Sequence, residues 1–370
     1  MAIEKYSLYF ECLSLGCLCG YMRICNNSSR VMTDINNTHH NMIISRIQAD
    51  ALGIVLSAVV AFIAYILSQH FSVPVMLLCL FLGMILHGFS KRNIFKCGID
   101  FTARTVLRIG VVLIGTRIMF SDFIALGWET LALVIFATVL TIVTSLLFAK
   151  FLKLDPEQGF LIGGATAICG ASAALALSAM MPTSKTLEKN TIVTVVGVTL
   201  MGTVAMVIYP YALGVLGLSV ADSGLLIGGT IHDVSQTVGA GYSVSENVGD
   251  AAILVKLIRV FMLVPILLCC ALWFHRQKTD EMQNKPSYPL FLLWFIGFVV
   301  LSSFQFIPGE ISVYLKDISK ACLMMAIAAV GMKTSMRALW SVGLRPALLI
   351  VTETLALVTL YGCVIAFGLV

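Results

Sequence analysis

Two short stretches of the chain concentrate side chains that can bind or move an ion. The first reads Gly163-Gly164-Ala165-Thr166-Ala167-Ile168-Cys169-Gly170-Ala171-Ser172-Ala173, the second Gly228-Gly229-Thr230-Ile231-His232-Asp233-Val234-Ser235-Gln236-Thr237. Each opens on Gly-Gly, and glycine weakens a helix interior while permitting a turn. A backbone break inside lipid is tolerated only where protein or a water-filled cavity satisfies the freed groups. Half-helix N-termini aimed at such a cavity bind anions through free N–H groups and the helix dipole. Close helix packing explains any single glycine equally well, but not His232, Asp233 and Gln236 directly after the second pair. Further on, Lys256 and Arg259 are three residues apart, which puts both cations on one helix face. Ions at membrane depth are costly and usually face the protein interior. These residues suggest an anion site built from Thr166, Cys169, Gly170, Ser172, His232 and Gln236, with Lys256 and Arg259 supplying positive potential. Two duller readings of the cations are snorkelling to an interface and a structural pair between Lys256 and Asp233. His232 and Asp233 can each take up a proton, so they are the candidate coupling pair.

The elements that must hold these residues are membrane helices. Of 370 residues, 59% are hydrophobic and only 12% charged, with a mean hydropathy of +0.97. A soluble domain carries about 25% charged residues, so a soluble enzyme or a nucleic-acid binder is excluded, and the net charge of +5 does not revive the latter. The 11 cysteines are scattered through apolar runs such as Leu78-Cys79-Leu80 and Cys269-Cys270, without metal-ligand spacing. No metal and no cofactor is expected.

Apolar runs suggest spans near 51–69, 73–89, 104–121, 128–149, 191–213, 250–274, 289–306, 319–336 and 346–368, with the unusual segments 157–182 and 222–243 between them. Residues 1–49 read as an N-terminal extension, poorly ordered or forming one marginal helix, and 50–370 as a single transporter domain. With a cytoplasmic N-terminus, the loops carrying Lys91, Arg92, Lys96 and Arg104, then Lys150 and Lys153, then Arg276, Lys278 and Lys285, then Arg337 and Arg345 all fall inside. Lys185 and Lys189 join them only if 157–182 enters and returns on one face. The expectation is therefore an all-α polytopic protein with about nine to eleven transmembrane segments, two of them broken or re-entrant. Arg117 and Lys333, near helix ends, are expected to snorkel.

Internal repeats point the same way. Leu107 to Gly127 matches Leu323 to Gly343, pairing Gly115 with Gly331 and Arg117 with Lys333, and Gly159-Phe-Leu-Ile-Gly-Gly164 matches Gly224-Leu-Leu-Ile-Gly-Gly229. On the topology above both pairs are inverted, as in secondary transporters.

Three motifs together resemble a known family. Thr166-Ala-Ile-Cys-Gly-Ala-Ser172-Ala173 is similar to the T-x-I-C-G-x-S-A segment of the YeiH-type sulfate exporter family of bacterial inner-membrane proteins. Ile231-His-Asp-Val-Ser-Gln236 resembles its I-H-[DE]-V-A-Q segment, with Ser235 where Ala is usual. Val255-Lys256-Leu-Ile-Arg259-Val260, followed by Pro265, resembles its V-K-x-x-R-V…P segment. The resemblance covers about residues 50–370. It implies membership of the cation/proton antiporter and anion transporter superfamily, an inverted-repeat fold with core and scaffold domains, and export of sulfate across the cytoplasmic membrane.

The leading expectation is a secondary transporter of a small inorganic or organic anion, with a proton as candidate co-substrate and the lipid bilayer as its surroundings. A homo-oligomer is left open. An anion channel and an intramembrane hydrolase using Ser172 or Cys169 with His232 are the rivals.

Overall fold

The computed structural model describes residues 31–71, 73–181, 184–275, 291–334 and 342–369. The segment before Val31 and the loop residues Arg276, Lys278, Lys285 and Arg337 lie outside them. Helices joined by short turns make up the described chain, and no strand occurs among those residues.

The described residues begin with α1 (Val31–Phe71), α2 (Val75–Ile85), α3 (His87–Ser90) and α4 (Asn93–Phe101). A π-helical turn (Thr102–Val106) follows, then α5 (Leu107–Ile114), α6 (Phe120–Ala125) and α7 (Gly127–Phe151). The first unusual segment is α8 (Pro156–Ala167) and α9 (Ala171–Ser178), followed by α10 (Lys185–Leu216). The second is α11 (Val220–Thr230) and α12 (Val234–Val244), followed by α13 (Glu246–Phe261) and α14 (Leu263–His275). The chain closes with α15 (Phe291–Ser303), α16 (Gly309–Lys333) and α17 (Leu344–Ala366).

Among the described residues, five stretches are long and apolar enough to cross a bilayer: Ala51–Phe71, Gly127–Phe151, Thr186–Leu216, Glu246–Cys270 and Leu344–Ala366. The other expected spans are shorter or more polar. The 73–89 run divides at Leu86, the 104–121 run is interrupted by the π-turn, and α16 carries Glu310, Lys316, Asp317 and Lys320 in its first half. Pro265 removes the amide that would bond to Phe261, and the helical ladder is interrupted at the single residue Met262 between α13 and α14, within the continuous Glu246–Cys270 stretch. In α7 the sidedness suits lipid. Leu131, Ile135, Phe136, Val139 and Leu147 point outward, while Ala137, Thr138, Thr141, Ser145 and Ala149 are buried. Helix association in a bilayer favours such small and hydroxylated contact faces.

Small residues set the packing of the special segments. A Cβ on Gly159 or Gly163 of α8 would lie 2.6 Å from Ala149 Cβ or 2.7 Å from Ser145 Cβ of α7. The matching Gly224 and Gly228 of α11 meet α13, at 2.5 Å from Ala251 Cβ and 2.4 Å from the Ala252 carbonyl. The Gly-Gly pairs, expected as the points of breakage, therefore sit inside α8 and α11 and serve close packing. The breaks come later, at Ile168–Gly170 and Ile231–Asp233. In the longer repeat, Gly115 and Gly331 both admit a neighbour's carbonyl, from Phe295 and Leu80. The two repeat helices also touch: Ser319 Oγ donates to the Gly110 carbonyl at 2.7 Å.

Arg117 and Lys333, expected to snorkel, each have a carboxylate partner. Lys333 pairs with Asp100 at 2.6 Å, and Arg117 with Asp250 at 2.7 Å.

Candidate functional site

Four helix ends flanking the two special segments carry familiar caps. Ser184, Ser219 and Ser245 accept bonds from the amides of Leu187, Asp222 and Val248, and Gly217 ends α10 in a left-handed turn. The ends at the breaks are different. α8 and α11 stop inside the protein, each exposing carbonyls that a continuing helix would have satisfied. These helix ends are buried, so their carbonyls need donors other than helical amides.

Lys256 and Arg259 of α13 provide them. Both are fully buried, at 0% and 1% exposure. Lys256 Nζ donates to the carbonyls of Ile168 (2.9 Å), Ile231 (2.7 Å) and His232 (2.6 Å). Arg259 Nε donates to Ala167 (2.8 Å), Nη2 to Thr166 (2.5 Å), and Nη1 to Gly229 (2.7 Å), with longer 3.2 Å contacts to Gly228 and Ile231. Two side chains thus serve seven carbonyls from both breaks. They also bring two positive charges to two helix C-termini, each carrying roughly half a negative charge. A three-residue spacing on one helix suits this, because both heads leave α13 on the same side.

The two breaks lie against each other. A Cβ on Gly170 would be 3.5 Å from the His232 carbonyl group and 3.7 Å from Asp233 Cβ, and Gly170 holds φ at +63°. Beyond this contact α9 and α12 begin, with their N-termini at the junction. The α12 start is occupied: Asp233 Oδ1 accepts from the Ser235 amide at 2.9 Å and from its hydroxyl at 2.5 Å. The α9 start has no side-chain cap. Ser172 in its first turn is exposed, and Ala171, Asp233 and Val234 are half-buried, so the junction opens on this side.

The expected residues take unequal parts. Thr166 is buried and spends its hydroxyl on its own helix, at the Ile162 and Gly163 carbonyls. Its carbonyl, not its side chain, meets Arg259. Cys169 is buried at the first break. His232 Nε2 lies 2.9 Å from Thr354 Oγ1, whose own proton goes to the Ile350 carbonyl at 2.7 Å. Nε2 is therefore the donor, and the acceptor Nδ1 is buried without a partner. Gln236 reaches away from the breaks to α10, donating to the Thr199 carbonyl (2.8 Å) and Thr203 Oγ1 (3.1 Å). Lys256 makes no ion pair with Asp233; its three protons are taken by carbonyls. Sequence reasoning did not assign parts to Thr354 or Tyr361, whose ring packs on Gly229. A threonine and a tyrosine in an apolar run carry no mark of such a contact.

Comparison with known proteins matches this framework to a family. The family model described as "Conserved hypothetical protein 698" matches residues 52–350. A UPF0324 membrane protein of Chlorobaculum tepidum is 41% identical over 83% of this chain and 87% of its own length. The UPF0324 membrane protein TauZ of Paracoccus denitrificans is 42% identical over 84% of this chain and 93% of its own. The chain belongs to the UPF0324 family. A further UPF0324 protein, from Rhizobium meliloti, is 41% identical over 82% of this chain and 89% of its own length. No solved structure matches significantly. Like the UPF0324 membrane proteins it resembles, this is a multi-pass bacterial membrane protein. The matched region contains both breaks and both buried cations.

Proposed function

We propose that this UPF0324 protein is a secondary transporter of a small anion, with sulfate export across the cytoplasmic membrane as the finer reading. The observation that carries it is the uncapped N-terminus of α9 at an open junction, directly beside two buried cations. Charge counting gives the site its sign. Lys256 and Arg259 contribute +2, Asp233 −1, the C-termini of α8 and α11 together about −1, and the N-termini of α9 and α12 together about +1. With His232 as a neutral imidazole, roughly one positive charge is left over. That surplus suits a monoanion, or a dianion accompanied by a proton. The free amides of the first turn of α9 and the Ser172 hydroxyl are the donors available to it. Lys256 and Arg259 act chiefly through their field, since every Lys256 proton and all but one Nη2 proton of Arg259 are already bonded.

Backbone breaks within apolar segments, held by side chains of a third helix, also suit a carrier that must rearrange around a site. The hydrolase reading is weaker, because His232 bonds to Thr354 and reaches neither Ser172 nor Cys169. Purified protein in liposomes decides the matter with radiolabelled sulfate and sulfite. The expected result is saturable uptake accelerated by unlabelled anion on the opposite side. Flux that neither saturates nor shows counterflow would indicate a channel, and no flux of either anion would remove the proposed substrate class.

A further inference from the structure

One ionisable side chain stands outside the junction, buried and almost without partners. Glu353, in the middle of α17, has 0% exposure. It lies about 13 Å along the helix from Leu344. Among the described residues its only hydrogen-bond partner is the Thr144 hydroxyl of α7, 2.8 Å from Oε2, and Oε1 is buried without a partner there. Thr144 has a single proton, and its oxygen is also 2.9 Å from the carbonyl of Leu140, the usual acceptor for a helical threonine. With that proton on Leu140, the short Oε2 contact requires Glu353 to be the donor, which a carboxylate cannot be.

The surroundings agree. α17 packs on α7, α8, α10 and α11. The charged residues of those helices are Glu129 and Lys150 on α7, Glu157 on α8, Lys185, Glu188 and Lys189 on α10, and Asp222 on α11. α17 itself carries Arg345, Tyr361 and Cys363, α10 also carries Tyr209 and Tyr211, and His232 bonds to Thr354 of α17. Among the described residues none of these makes an ion pair or hydrogen bond with Glu353. A carboxylate buried in apolar surroundings with one hydroxyl and no cation is strongly disfavoured against the neutral acid. The next residue, Thr354, holds His232 at the second break, so a change at Glu353 is one residue from the junction.

We propose that Glu353 is a proton-binding site, and that it carries the proton moved with the anion. The second half rests on the transporter reading; the first does not. Infrared spectroscopy of the full chain in lipid nanodiscs tests the first directly. The carbonyl stretch of a protonated, weakly hydrogen-bonded carboxylic acid is expected at neutral pH, with its loss in Glu353→Gln and a frequency shift in Thr144→Val. Glutamine is the neutral isostere and can donate to Thr144 as the acid does, so that variant is expected to fold. An unchanged spectrum in Glu353→Gln would overturn the proton site. In liposomes, sulfate flux through the wild type is expected to follow an imposed pH gradient, and flux through Glu353→Gln to lose that dependence. Equal gradient dependence in both overturns the coupling role. If the wild type moves no anion, the transporter reading and the coupling fall together, while the infrared result still rules on the proton.

Discussion

Arg259 is the residue on which most of the junction rests. Its guanidinium presents a planar fork of donors, and the structure uses that fork on two helices at once. Arg259→Met would orphan the buried carbonyls of Thr166, Ala167 and Gly229. An unsatisfied buried polar group costs about 1–3 kcal/mol, so a loss of at least about 3 kcal/mol is expected, read as a lowered thermal unfolding midpoint in detergent. Arg259→Lys keeps the charge but cannot reach all three carbonyls, and an intermediate loss is expected. If Arg259→Met unfolds at the wild-type temperature, the carbonyl-capping role is wrong and the cation is free for substrate. Conversely, loss of transport in this variant is informative about anion binding only after its stability is known.

At the scale of elements, the glycines divide by what stands opposite them. Gly228 has the Ala252 carbonyl where a Cβ would go, at 2.4 Å, and that atom is backbone. Gly228→Ala must push α11 off α13 and drag the second break with it. Gly214, near the exposed end of α10, has nothing within 4 Å. Gly214→Ala is expected to stabilise by up to about 1 kcal/mol, because alanine is the better helix former. Gly228→Ala is expected to lose stability despite the same gain in propensity. Paired thermal melts of the two variants check this, and a Gly228→Ala as stable as Gly214→Ala would mean that the α11–α13 contact can open to admit a methyl group. Both segments share this design of glycines four apart on the half-helix, packed on a long neighbour, and the break a few residues on.

Across the whole molecule, a cluster of charges ties together elements far apart in sequence. Arg117, just after α5, meets Asp250 of α13 at 2.7 Å. Glu246 at the start of α13 meets Lys316 of α16 at 2.6 Å, with Lys320 at 3.6 Å and Arg117 at 3.7 Å. Tyr242 donates to Asp250 Oδ1 at 2.6 Å, so α12 joins the cluster as well. These groups are partly exposed, and exposed ion pairs are worth only about 0.2–1 kcal/mol. The Arg117→Ala, Asp250→Ala double-mutant cycle is expected to give a coupling energy near the top of that range, falling with added salt. A coupling of several kcal/mol that resists salt would show the pair to be sealed from water and more central to the fold than its exposure indicates.

Much of this architecture was legible in the chain itself. Scarcity of charge determines that lipid is the solvent, and the regular apolar runs determine that the elements are helices. The spacing of Lys256 and Arg259 places them on one face, and the composition of the two unusual segments marks them as the places where the helices fail. Glycine content did not locate the breaks, because a glycine that admits a neighbouring helix and one that permits a turn are the same residue; among the glycines of the two unusual segments, only Gly170, with φ at +63°, is required by its backbone conformation. The partners of the two cations were also hidden. Sequence suggested an anion or an aspartate, since those are the charges that side chains announce. The acceptors in the structure are backbone carbonyls, of which every residue has one. Which carbonyls lack a helical partner is decided only when tertiary packing fixes where α8 and α11 end and brings those ends to α13.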